Sequence, residues 1–312
     1  MVTTVTMNTS LDKLYRVGRL EDGTVMRVRE VVNTAGGKGL NVAKVAALLG
    51  ENVTATGFIG GFNGAHVRSL LAGTGIADAF VESGVETRAC INVIDDGTGT
   101  STEFLEPGPA VAPARYDEFL ARYAELVAAS DAVTISGSLP KDAPDGFYGR
   151  LVSLANAAGK PIVLDTSGQL LRDGVASRPT LVKPNRDELG QLARREVGDE
   201  ADVVSSVREL VAGGIPYVAA SRGAEGVVFA CADGVFRGRV PDVRAVNPVG
   251  CGDSMVAAFA VALARRLPAR EMLRLALAVS AASAMDEKTG SFGKDDFETM
   301  SGRVEIERIG GV

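Results

Sequence analysis

Residues 132–165 read AVTISGSLPKDAPDGFYGRLVSLANAAGKPIVLD, and this stretch decides the fold. Ala132–Ser136 is a short apolar run, and Thr134-Ile135 shows no alternation, as expected of a strand buried on both faces. Ala143–Ala158 looks helical and closes at Gly159. Pro161–Asp165, built on Ile162-Val163-Leu164, is a second unalternating strand. The same rhythm continues outward. Upstream, Val2–Met7 reads as a buried first strand, Asn41–Leu49 as a helix closing at Gly50, and Val53–Ile59 as a strand ending in Gly60-Gly61. Downstream come strand Thr180–Lys183, helices Asp187–Arg195 and Ser205–Ala212, strand Tyr217–Ser221, and Ala-rich helices Met255–Arg266 and Met272–Met285. Alternating strands and helices predict an α/β fold: a mostly parallel central sheet with helices on both faces. We read residues 1–312 as a single domain.

Two stretches break the rhythm. Lys13–Val32 alternates polar and apolar residues (Tyr15, Val17, then Val25, Val28, Val31), with Gly18 and Gly23 as turns. Thr87–Phe104 alternates around Asp95-Asp96-Gly97. Both predict half-exposed antiparallel strands. They read as a small projecting sheet, a lid formed by insertions at about 13–33 and 87–108, or more plainly as two surface hairpins.

Composition narrows the function. No apolar run approaches the ~18 residues that span a bilayer, and MVTTVTMNTS is not a secretory signal. Cys90, Cys231 and Cys251 are odd in number and widely spaced, so neither a disulfide frame nor a zinc site is indicated, and a reducing cytoplasm is the expected compartment. With a formal charge of −6 and no Lys/Arg-rich run, a nucleic-acid partner is disfavoured, and an anionic ligand must be held locally. His66 is the sole histidine and reads as a helix-surface residue, which argues against His-based triads and His-rich metal sites.

Three motifs carry chemistry. Asn247-Pro248-Val249-Gly250-Cys251-Gly252-Asp253-Ser254-Met255 is a Gly-x-Gly turn opening an apolar helix. Free amides at such a start, aided by the helix dipole, bind anions. Asp253 either caps that helix or deprotonates a hydroxyl beside a phosphoryl group held by the amides. Asn33-Thr34-Ala35-Gly36-Gly37-Lys38-Gly39-Leu40-Asn41 opens another helix but fits neither a P-loop nor Gly-x-Gly-x-x-Gly. Its glycines suit sugar hydroxyls, with Asn41 donating and accepting and Lys38 binding a phosphate; the plainer reading is a tight helix entry with a solvated lysine. In Lys183-Pro184-Asn185-Arg186-Asp187-Glu188, Asn185 and Glu188 fit a capping box. The functional reading gives the same two residues a water-mediated hold on Mg²⁺.

In this order and spacing the three segments resemble the ribokinase/PfkB sugar-kinase family, as do Asn8-Thr9-Ser10-Leu11-Asp12, Ser136-Gly137-Ser138-Leu139-Pro140 and Ser221-Arg222-Gly223-Ala224-Glu225-Gly226. Within it, Thr34–Asn41, Gly57–Gly61, Glu86–Ile91, Thr102–Pro109, Ser136–Lys141 and Lys288-Thr289-Gly290 are most similar to the branch acting on phosphorylated hexoses, the tagatose-6-phosphate kinases and 1-phosphofructokinases.

The resemblance implies a ribokinase-like three-layer fold and ATP-dependent phosphorylation of a hexose phosphate, tagatose 6-phosphate foremost, with fructose 1-phosphate or fructose 6-phosphate as alternatives. It implies Asp253 as base and the amides of Gly250, Cys251 and Gly252 as anion hole. Asp12, Gly37 and Asn41 would hold sugar hydroxyls; Lys38, Arg88 and Arg27 would grip the existing phosphate, and Ser138 would lie near the substrate. Lys183, Asn185, Ser221, Gly223 and Gly226 would line the ATP site, Ala281 and Ala284 would pack the adenine, and Glu188 would organise Mg²⁺. A homodimer through the lid is expected.

Thr9, Arg222 and Cys251 depart from the family's usual Pro, Leu and Ala or Ser. None removes a catalytic group. Cys251, at a helix N-terminus, is expected to have a lowered thiol pKa and sensitivity to thiol reagents. Two readings of other classes are weighed: a non-catalytic sugar- or nucleotide-binding regulator, which would not need Asp253, and a dinucleotide-dependent oxidoreductase, which lacks its Gly-x-Gly-x-x-Gly.

Overall fold

The computed structural model describes residues 1–240 and 243–312. Strand β1 (Val2–Thr6) is followed by β2 (Ser10–Val17), β3 (Glu30–Gly36), helix α1 (Lys38–Leu48), β4 (Val53–Ile59), α2 (Gly61–Leu71), β5 (Ile76–Asp78), β6 (Val81–Glu82), β7 (Arg88–Asp95), β8 (Thr100–Leu105) and α3 (Pro113–Ala129). Then come β9 (Ala132–Ser136), α4 (Phe147–Ala157), β10 (Ile162–Asp165), α5 (Gly168–Ala176), β11 (Leu181–Val182), α6 (Arg186–Ala193), α7 (Glu200–Ala212) and β12 (Tyr217–Ser221). The chain ends with β13 (Val227–Cys231), β14 (Gly234–Arg239), α8 (Cys251–Ala264), α9 (Ala269–Met285), α10 (Lys294–Arg303) and β15 (Glu305–Gly310).

The main sheet has the order β15-β14-β13-β12-β11-β10-β9-β1-β4-β5, with β6 also beside β4. Every pairing from β12 to β5 is parallel. Strands β13 to β15 extend it antiparallel. Alternate residues feed two cores. Val133 and Ile135 point into one with Phe119, Tyr123 and Leu151, while Val163 and Leu181 point into the other with Leu40, Val256 and Leu273. This is why the strands carry apolar side chains on both faces.

The chain crosses from β1 to β4 on one side of the sheet and returns to β9 on the other. That reversal opens a crevice outside the carboxyl ends of β1 and β9, where open α/β sheets bind ligands. Helix α8, buried from Asp253 to Ala262, points its start toward this crevice. Apolar character all round is what a buried helix needs. The ring of Phe259 stacks on Phe229 at 5.7 Å between centroids and anchors the helix to β13. Truncating it to Ala costs about 3–5 kcal/mol.

A separate four-stranded sheet has the order β3-β2-β7-β8. Strands form in both predicted stretches, with two corrections. Val25 and Val28 lie in the connection between β2 and β3 and belong to no strand, so their alternation reflected an exposed loop. The two hairpins are antiparallel within themselves, but β2 pairs with β7 in parallel. The reason is that β2 and β7 both leave the main sheet outward: Ser10 starts just after β1 and pairs with Arg88. Among the described residues no helix is long and apolar enough to cross a membrane.

Candidate active site

The start of α8 is shaped by glycine. Gly250 is the N-cap at φ 84°, in the left-handed region, and no side chain caps this helix. Asp253 is therefore not spent on its own backbone, and the capping reading fails. Asp253 is 6% exposed, and its Oδ2 accepts a hydrogen bond from Asn41 Nδ2 at 2.9 Å. Burial, then the charge of Asp165, push its pKa up to about 6 against the opposing effects of Asn41, Lys38 and Lys183. Such a group is ionised at neutral pH yet basic enough to take a proton.

Beneath it lies an ion cluster of buried Asp165 and Lys183 with half-exposed Lys38. Asp165, at the carboxyl end of β10, is 2% exposed; Lys183 Nζ approaches Oδ1 at 3.1 Å and Lys38 Nζ approaches Oδ2 at 3.6 Å. Burial alone would raise the Asp165 pKa; the two lysines reverse this and hold it below the usual carboxylate range. Asp165 in turn raises the pKa of Lys38. The Lys183 ammonium comes within 3.4 Å of where a Cβ on Gly252 would stand, which places it beside the start of α8.

On the sugar side, β2 carries Asp12 against the glycine-rich entry to α1. A Cβ on Gly36 would sit 2.1 Å from the Asp12 carboxyl, so only glycine admits it. Burial raises the Asp12 pKa, offset by a bond from Ser10 Oγ and by Lys44 and Arg88. Gly37, at φ 103°, is the N-cap of α1, and Lys38 and Asn41 lie in its first turn. Gly290 closes over the same turn: a Cβ there would meet Asn41 Cα at 3.2 Å.

The predicted phosphate-side residues divide. Lys38 joins the Asp165 cluster. Arg88, at the root of β7, donates to the carbonyls of Asn8 (3.1 Å) and Glu106 (2.8 Å). Asn8 Nδ2 donates to Ser138 Oγ at 3.0 Å, so Ser138 and Arg88 share one anchor. Arg27 lies on the exposed loop between β2 and β3, and no hydrogen bond or ion pair among the described residues draws it to the others.

On the nucleotide side, the Ser221 amide donates to the Pro184 carbonyl at 2.9 Å, bringing Lys183 and Asn185 beside the Gly223–Gly226 turn. The Ala284 carbonyl accepts the amides of Val246 and Asn247, holding the approach to Gly250 against α9. Ala281 is buried on the same helix. The Asn185/Glu188 capping box is present at the start of α6.

Among the described residues no group of three or more His, Cys, Asp or Glu side chains could cage a metal. Mg²⁺ does not require one, since it keeps several waters and takes one or two carboxylates plus phosphate oxygens. The box engages Glu188 Oε2, leaving its other oxygen available, and Asp165 Oδ2 has no hydrogen-bond partner. These donors fit a hydrated Mg²⁺ brought in with a nucleotide.

One expectation is overturned. Burial, and then Asp253, push the Cys251 thiol up to about 11, the opposite of the shift expected at a helix N-terminus. The Cys251 amide also leans back toward the Pro248 carbonyl at 3.4 Å. Two groups escaped the sequence reading. Asp165 was only the last residue of a strand, although a charge closing an apolar parallel strand was a usable signal. Lys44 stands one helical turn after Asn41 and gave no signal in the sequence.

A model of the pfkB family of carbohydrate kinases matches residues 5–295. The chain belongs to this family. Its pfkB-type relatives include the tagatose-6-phosphate kinase of Staphylococcus epidermidis, 36% identical over 99% of this chain and 100% of that one. Among solved pfkB-like structures, phosphofructokinase-2 of Escherichia coli, in complex with potassium, superposes with a TM-score of 0.90 at 30% identity, covering 97% of this chain and 98% of that one. A Thermotoga maritima protein described as a possible 1-phosphofructokinase gives 0.90 at 26% identity over 99% of each chain. Membership in a carbohydrate-kinase family, with a tagatose-6-phosphate kinase among the relatives, places the chain among the sugar-phosphate kinases.

Proposed function

We propose that this pfkB kinase transfers the γ-phosphoryl group of ATP to a hydroxyl of a hexose phosphate, tagatose 6-phosphate before its fructose analogues, giving the 1,6-bisphosphate. The observation that carries this reading is the buried Asp253 carboxylate, uncapped at a glycine-made helix start and held by Asn41 at 2.9 Å. The substrate O–H donates its proton to Asp253 as the oxygen attacks the γ-phosphorus. A new O–P bond forms, the bond from the γ-phosphorus to the β,γ-bridging oxygen breaks, and ADP departs. Amides of Gly250, Cys251 and Gly252 and the ammonium groups of Lys38 and Lys183 stabilise the migrating charge. Asp12, Gly37 and Asn41 orient the sugar; Arg88, Ser138, Lys38 and Arg27 receive its phosphate. Lys183, Asn185, Ser221, Gly223, Gly226, Ala281 and Ala284 line the nucleotide site. Mg²⁺ would be held by Glu188, with Asn185 through water, and would neutralise phosphate charge when bound.

The substrate choice is supported by the full-length 36% identity to a tagatose-6-phosphate kinase. The test is a coupled ADP-release assay with tagatose 6-phosphate, fructose 1-phosphate and fructose 6-phosphate. The highest kcat/KM belongs to tagatose 6-phosphate; a higher value for either fructose ester replaces the substrate while keeping the chemistry.

The lid is the proposed dimer surface. Val31 (55%), Phe104 (57%) and Leu105 (64%) are exposed on its strands, and apolar sheet surface of this kind favours cover by a partner. A phosphofructokinase-2 structure of E. coli is described as tetrameric. Light scattering should return twice the 32.3 kDa chain mass; a monomer would refute the assembly. Cytoplasmic residence is proposed from the unpaired cysteines.

A further inference from the structure

Lys44 is a charged group near the candidate base that the mechanism above leaves without a role. Its ammonium donates to the Ala35 carbonyl at 2.6 Å and to Asn41 Oδ1 at 3.4 Å. Asn41 in turn donates from Nδ2 to Asp253 Oδ2 at 2.9 Å. An ammonium can only donate and a carboxylate can only accept. One orientation of the Asn41 amide satisfies both, and the reversed amide would face donor to donor and acceptor to acceptor. Lys44 therefore holds the Oδ1 end of Asn41 in the orientation that presents Nδ2 to Asp253. By occupying Oδ2, the amide leaves Oδ1 as the oxygen free to receive a substrate proton.

The other end of the relay is the lid. Ala35 lies in β3, paired with Leu11 of β2, next to the pairing of Asp12 with Thr34. The short bond to Ala35 ties the root of the lid to the helix that carries Asn41. Burial lowers the Lys44 pKa, while Asp12 and Asp253 pull it back up, so the ammonium stands between the two carboxylates of the site. The stem is confined as well: a Cβ on Gly290, at φ 72°, would lie 3.2 Å from Lys44 Cδ and 3.3 Å from Asn41 Oδ1.

We infer that Lys44 is a positioning residue that fixes the Asn41 amide and so couples the root of the lid to the orientation of Asp253 during phosphoryl transfer. This rests on Asp253 being the base, so Asp253→Asn is assayed in parallel. Turnover by that variant breaks the base reading, whereas the Lys44 result bears on the relay alone.

The experiment measures kcat and both KM values, with tagatose 6-phosphate and MgATP, for Lys44→Met, Lys44→Arg, Asn41→Ala and the double variant Asn41→Ala/Lys44→Met, each first shown to be folded by its melting curve. Lys44→Met should lower kcat about 100-fold, the scale of a misplaced reacting group, with the KM for ATP unchanged. Lys44→Arg, which keeps the cation and its donors, should recover most of the loss. The double variant should be no slower than Asn41→Ala, because Lys44 acts through that amide. If Lys44→Met is unfolded at the assay temperature, Lys44→Gln takes its place in both arms. Wild-type kcat in the uncharged variant, equal losses in Met and Arg variants, or losses that add in the double variant would overturn the inference.

Discussion

The starts of α6 and α8 look alike in sequence, each a polar residue beside a turn before a helix, yet they spend their side chains differently. At α6, Asn185 and Glu188 satisfy each other's backbone amides, both at 2.9 Å. At α8, glycine takes the N-cap position, no side chain caps, and Asp253 turns to Asn41 on another helix. A capping carboxylate stabilises its own helix. A carboxylate released from that duty, buried beside a second negative charge, costs stability and gains basicity. The glycine N-cap is what separates the two outcomes.

The largest test of this contrast is Asp253→Asn, which removes the base and keeps the shape. It should lower kcat by about 10³-fold, with sugar and nucleotide still bound; near-normal turnover would erase the distinction between the two helix starts.

The next is Asp165→Asn. Lys183 is buried and loses its charged partner, which should cost about 3 kcal/mol in denaturant melts. The same change removes a like charge from Asp253, so the acidic limb of kcat/KM should move to lower pH. In the unaltered enzyme that limb should lie near pH 6, with activity falling as Asp253 protonates. A limb that stays in place in Asp165→Asn would sever the two carboxylates.

A smaller effect has the opposite sign. The folded pKa of Asp253 lies above its ordinary value. Its contribution to stability is thus full below pH 3.8, the ordinary value, and is lost as pH rises through about 6. Asp253→Asn should therefore melt higher than the unaltered chain at pH 8, and the advantage should shrink as pH falls through 6. A lower Tm at pH 8 would mean that the carboxylate is structural after all. The smallest effect belongs to α6, where Asn185→Ala should cost about 1 kcal/mol of stability as a lost cap.

Legibility followed the range of the interactions. The strand–helix–strand unit at 132–165 could be read because burial on both faces writes an unbroken apolar run into the chain. Glycines 36, 37 and 250 could be read because close approach or left-handed backbone leaves few other residues possible. Val25 and Val28 misled because alternation in an exposed loop has the same pattern as a strand. Cys251 misled because burial, which only the fold sets, raises its pKa first, and the Asp253 charge second. Asp165 was passed over because Lys38 is far from it in sequence, and Lys44 because its near neighbours Ala35 and Asn41 matter only through Asp253, 212 positions from Asn41.

The sequence by itself determined the layered α/β architecture, the pfkB family and the chemical types gathered at the glycine turns, since periodicity and backbone constraint are local and survive in one dimension. Only the tertiary structure decided that Asp253 is uncapped and joined to Asn41, 212 positions away, that Asp165 lies between two lysines, and that β2 and β7 run in parallel. Charge–charge and hydrogen-bond interactions depend on distance and burial, and those exist only once the sheet has brought the strand ends together.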